Sequence, residues 1–125
     1  MMKSTIGPIL VVEDDDLLRE AMVVELESHG FPVRTATNGE EALFALQRSP
    51  RPSLIMLDLM MPVMDGWKFR AHQLEDPDLA SIPVIVLSAR GDADRQGRAL
   101  GVAGALSKPV DLDRLHEVLD QSLGT

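Results

Sequence analysis

Cysteine is absent from this chain of 125 residues, which excludes disulfides and leaves nothing that speaks for an oxidising compartment. Basic residues are scarce: 12 lysines and arginines face 20 aspartates and glutamates, and the formal charge of −8 is the wrong sign for general binding to nucleic acid. No apolar run approaches the roughly eighteen residues of a membrane span. The apolar stretch from Ile6 to Val12 is interrupted by Gly7 and Pro8 and runs into an acidic cluster where a cleavage site would stand, so it is not a signal peptide. Linkers, low-complexity tracts and sequence repeats are missing as well. These absences predict one soluble, cytoplasmic domain over residues 1–125, with 45% apolar content sufficient for a core without metals or disulfides.

What is present centres on the segment from Ser53 to Gly66. Leu54 to Leu57 form a continuous apolar run behind the breakers Pro50 and Pro52, too short for a typical helix, and read as a strand buried on both faces. Asp58 ends that run, at the carboxyl edge where open α/β sheets bind their ligands. Alone, Asp58 reads as a turn residue that hydrogen-bonds its own loop. Three further runs alter that reading: Ile9 to Val12 is followed by Glu13, Asp14, Asp15 and Asp16, Val84 to Leu87 ends in Ser88, and Ala105 to Ser107 ends in Lys108 and Pro109. If all are parallel strands, one edge carries several carboxylates, a hydroxyl and an ammonium.

Helical spacing fills the intervals. Leu17, Leu18, Ala21, Met22, Val24 and Leu26 mark a helix from an acidic N-cap to Gly30, and Val33 to Ala36 a half-exposed strand closed by Asn38-Gly39. Helices are predicted over Glu40 to Arg48, Trp67 to Leu74 and Asp111 to Leu123, with Pro77 and Pro83 bracketing the approach to the fourth strand. The segment Asp92 to Ala103 is the weakest helix, because Gly97 in its middle costs about 1 kcal/mol relative to Ala. Trp67 reads as a core or rim aromatic. His29, His72 and His116 read as isolated, with no phosphohistidine or zinc role. The alternation predicts an α/β fold, a doubly wound five-stranded parallel sheet with right-handed crossovers.

The segments V-V-E-D-D, L-D-L-M-M-P-V-M-D-G, L-S-A and S-K-P resemble, in order and spacing, the signatures of the receiver domain of two-component response regulators. The resemblance spans nearly the whole chain. It implies a flavodoxin-like strand order 2-1-3-4-5, with Glu13 and Asp14 beside Asp58 at the switch point. It implies that Asp58 is the nucleophile that takes a phosphoryl group from a sensor histidine kinase or histidine phosphotransfer protein. Clustered carboxylates repel one another unless a cation neutralises them. The implied cation is Mg2+, or Mn2+ in its place, held by Glu13, Asp14, Asp58 and the main-chain carbonyl of Met60. Lys108 would stabilise the transferring group, Ser88 would donate a hydrogen bond to it, and the Lys108-Pro109 peptide would be cis.

Nothing after the last helix suggests an effector domain, so the expected output is binding to a downstream protein, with no direct contact to nucleic acid or membrane. One departure bears on that output: the family's Tyr or Phe three residues before the lysine is Ala105 here. Competing readings are a phosphate sink or relay intermediate, a degenerate receiver used only for binding, and a Mg2+-dependent haloacid-dehalogenase-like phosphatase. The last would need a second acid two residues after the nucleophile, where Met60 stands.

Overall fold

The computed structural model describes residues 7–89 and 91–123. Its aliphatic runs become β1 (Ile9–Val12), β3 (Leu54–Asp58) and β4 (Val84–Ser88), in which every residue is buried. They form the centre of one parallel sheet, with β2 (Val33–Ala36) and β5 (Gly104–Ser107) as edges and the order β2-β1-β3-β4-β5. That is the predicted order.

Because successive strand residues point to opposite faces, the sheet divides its side chains between two cores. Ile9, Val11, Leu54, Met56, Ile85 and Leu87 pack with Met22 and Leu26 of α1 (Asp16–Ser28) and Leu115, Val118 and Leu119 of α6 (Leu112–Leu123). On the other face, Leu10, Val12, Ile55, Leu57, Val84 and Val86 pack with Ala42 and Leu46 of α2 (Gly39–Leu46) and Phe69 of α3 (Gly66–Glu75). Each such aliphatic side chain stabilises the fold by roughly 1.5–3 kcal/mol on leaving water. Asp15 caps α1 by accepting the N–H groups of Leu17 and Leu18, and Gly30 just beyond its end has φ 89°, a conformation cheap only for glycine.

Several local expectations need correction. Leu17 and Val24 point to solvent, whereas Trp67, partly exposed, is the rim aromatic its position allowed, the buried aromatic of α3 being Phe69. Within the approach bracketed by Pro77 and Pro83 lies a short helix not expected from the sequence, α4 (Pro77–Ala80), which Pro77 opens where its missing N–H has no helical partner to lose. Gly97 is not a point of weak packing either. It is buried in α5 (Ala93–Leu100), and a Cβ added there would lie 3.1 Å from the Cβ of Ala105, so the absent side chain brings the helix close onto β5.

Two buried polar residues of α3 complete this face. The guanidinium of Arg70 donates to the carbonyls of Leu100 at 3.3 Å and Gly101 at 3.1 Å and to Gln73 Oε1 at 2.8 Å. Gln73 in turn donates to the carbonyls of Leu79 and Ile82. The cation thus sits at the C-terminal end of α5, where orphan carbonyls and the helix dipole favour it.

Candidate functional site

Strand register assembles the site. Val12 pairs with Leu57, Asp58 with Leu87 and Ser88 with Ser107, so the residues that leave these strands meet at one edge. Lys108 is fixed there by its N–H, which donates to the Ser88 carbonyl at 2.8 Å. Glu13 and Asp58 are buried, at 0% and 2% exposure, whereas Asp14 is open to solvent. One oxygen from each of these three carboxylates lies within 4.8 Å of the others.

The Lys108 ammonium stands between the two buried acids, 3.1 Å from Glu13 Oε1 and 3.2 Å from Asp58 Oδ1. Asp58 Oδ1 also accepts the Met60 N–H at 3.2 Å, and Glu13 Oε2 accepts the Asp15 N–H at 3.1 Å. That leaves Asp58 Oδ2 and Glu13 Oε1 buried without an aligned hydrogen bond, the second despite its nearness to the ammonium. Buried oxygens in this condition are costly unless something occupies them.

Electrostatics follow from the burial. Desolvation pushes Glu13 up to about 7, against the Asp15 N–H and with help from the Asp58 charge. Asp58 is raised for the same first reason, although the neighbouring Glu13 carboxyl, the Met60 N–H and the Lys108 charge oppose the rise. Burial would lower Lys108, but the hydrogen bond to Glu13 and the charges of both acids outweigh it and raise the ammonium. Burial thus opposes ionisation of both acids, a cost that a hard cation could offset. Two unpartnered buried oxygens beside an exposed third carboxylate fit the oxygen-ligand chemistry of Mg2+.

Ser88 reaches the same edge, buried at 4% exposure, and its hydroxyl donates to Gln96 Oε1 of α5. Gln96 escaped the sequence reading, since a lone glutamine on a helix carries no local signal. The Lys108-Pro109 peptide is cis, as the resemblance implied.

A family model for the response regulator receiver domain matches residues 9–120. The chain belongs to that family. Receiver domains are regulatory rather than metabolic modules. Response regulator Rre1 of Synechocystis sp. is 40% identical over 114 residues, covering 89% of this chain and 49% of the relative. Protein PilH of Pseudomonas aeruginosa is 30% identical, with 92% of this chain and 96% of PilH covered. Among solved structures, chemotaxis protein CheY4 of Vibrio cholerae superposes with a TM-score of 0.85 at 28% identity over 95% of this receiver and all of CheY4. The receiver spans about half the length of several curated relatives it matches, transcriptional regulators among them.

Among the described residues, a second group of metal-competent side chains corrects the sequence reading. His29 and His116, expected to be isolated, meet at Glu25, because α1 and α6 pack on the same face of the sheet. The separation of 91 residues between Glu25 and His116 hides the contact from any spacing rule.

Proposed function

We propose that this receiver accepts a phosphoryl group on Asp58 from the phosphohistidine of a histidine kinase or phosphotransfer protein. The observation that carries the reading is Asp58 Oδ2: a buried carboxylate oxygen with no hydrogen-bond partner, at the carboxyl edge of the sheet and beside Lys108. In the transfer, a carboxylate oxygen bonds to phosphorus as the phosphorus–nitrogen bond breaks, giving an acyl phosphate and a free imidazole. Glu13, Asp14, Asp58 and the Met60 carbonyl would hold Mg2+, which would neutralise the clustered carboxylates and the incoming phosphate oxygens.

The remaining work falls to the chain's own groups. Lys108 holds its ammonium against Asp58 before any phosphate arrives, so no reorganisation is needed to meet the developing charge. Ser88 must turn its hydroxyl from Gln96 to donate to a phosphoryl oxygen. That exchange couples the phosphorylated state to α5, and we assign the output to a protein partner that distinguishes α5 with and without the Ser88–Gln96 bond. The same groups would support the domain's own dephosphorylation once water replaces the imidazole.

Phosphotransfer from the host's autophosphorylated histidine kinases tests the reading. Wild type should acquire label from at least one donor in the presence of Mg2+, and Asp58→Asn should not. Equal labelling of both proteins would place the acceptor elsewhere.

A further inference from the structure

We propose that Glu25, His29 and His116 form a Zn2+ site that ties α1 to α6. Glu25 and His29 lie four residues apart at the end of α1 and so share one helix face, and His116 comes to them from α6. The site is separate from the acidic edge: the rise along α1 from Asp16 to Glu25 is on the order of 13 Å.

Geometry supports a shared ion. His116 Nε2 is 2.7 Å from Glu25 Oε2, and His29 Nδ1 is 3.5 Å from the same oxygen. The two imidazole rings lie with centroids 4.0 Å apart, and one ligand atom from each residue falls within 4.8 Å of the others. Tetrahedral Zn2+ with bonds of about 2.0–2.1 Å needs ligand atoms roughly 3.3–3.5 Å apart, within reach of small side-chain rotations from these positions. The Glu25–His116 hydrogen bond would open by under about 1 Å to admit the ion.

The chemistry selects the metal. Two imidazoles and one carboxylate are a known Zn2+ ligand set that leaves a fourth position for water, whereas Mg2+ prefers an all-oxygen shell. The side chains are 24% exposed at Glu25, 44% at His29 and 28% at His116, so the ion can enter from solvent without unfolding. Against this stands an ordinary arrangement: a His116–Glu25 hydrogen bond, with His29 at the helix end also 3.0 Å from the Glu25 carbonyl and 3.2 Å from the Ser28 hydroxyl. That arrangement accounts for each histidine separately. With the i,i+4 spacing of Glu25 and His29 it also brings both rings to one carboxylate oxygen, which is the placement a shared ion needs.

Chelator-treated protein, saturated with Mg2+ to occupy the acidic edge, should be titrated with zinc chloride and followed by calorimetry and by imidazole nitrogen resonances. The expected result is one Zn2+ per chain, with the His29 and His116 resonances shifting together and those of His72 unmoved. His29→Gln and His116→Gln should each weaken binding by roughly tenfold or more, and Asp14→Ala should leave it unchanged. The wild-type resonances answer the question even if a variant folds poorly. Unmoved His29 and His116 signals at equimolar Zn2+, or binding lost in Asp14→Ala but retained in His116→Gln, would overturn the site.

Discussion

Replacing Glu13 by glutamine should alter how stability depends on pH, because that carboxylate is held in a place unsuited to its charge. Its folded-state value is raised from 4.5 to about 7, chiefly by burial. The folded protein therefore binds this proton more tightly than the unfolded chain does. The associated stability is fully present below about 4.5, is lost as pH rises through the window to about 7, and stays lost above it. At about 1.4 kcal/mol per pH unit the loss is at most roughly 3.5 kcal/mol. Asp58 and Lys108 share the interaction, which reduces the expected loss to roughly 2 kcal/mol. Glutamine keeps the shape and an oxygen for the Asp15 N–H but has no proton to lose. In urea unfolding followed by circular dichroism without Mg2+, wild type should fall by roughly 2 kcal/mol relative to Glu13→Gln between about pH 5 and about pH 8. Melting temperatures should separate by roughly 6–8 °C over the same interval. Saturating Mg2+ should abolish the loss in wild type, since it favours the ionised folded state. Parallel stability curves for the two proteins across that range would refute the reasoning.

Arg70→Leu should destabilise the domain by about 2 kcal/mol, since it strips charged donors from the Leu100 and Gly101 carbonyls and Gln73 Oε1 while removing a desolvated charge; thermal unfolding reads the net cost, and no change would mean the network is dispensable. A beryllofluoride mimic at Asp58 should draw the Ser88 hydroxyl from Gln96 and speed amide exchange in α5. Gln96→Leu, which lacks that acceptor, should exchange alike with and without the mimic. Protection changes confined to residues touching the mimic would favour a phosphate sink over a switch.

The sheet and most of the site were legible because each rests on a local pattern. Residues 54–57 could be little else than a strand buried on both faces, and a charged or hydroxyl residue ending such a run must leave at the carboxyl edge. Asp58, Glu13, Ser88 and Lys108 were placed together at that edge in this way, while the roles expected of them came from the family resemblance. Residues whose role depends on which elements touch were not. Gly97 looked like a defect in a helix, and only the position of α5 over β5 shows that its missing Cβ allows close approach to Ala105. Gln96, Arg70 and the His29–His116 pair are polar residues on helices, and their partners lie on other elements.

Intact-mass spectrometry after treatment with acetyl phosphate and Mg2+ tests the central claim most directly, because it needs no cognate kinase. Wild type should gain the mass of one phosphoryl group per chain, as an adduct stable to acid and labile to base. Asp58→Asn should gain none, and chelation of Mg2+ should suppress the gain in wild type. An identical adduct on Asp58→Asn, or none on wild type under conditions that label another receiver, would contradict the assignment of Asp58.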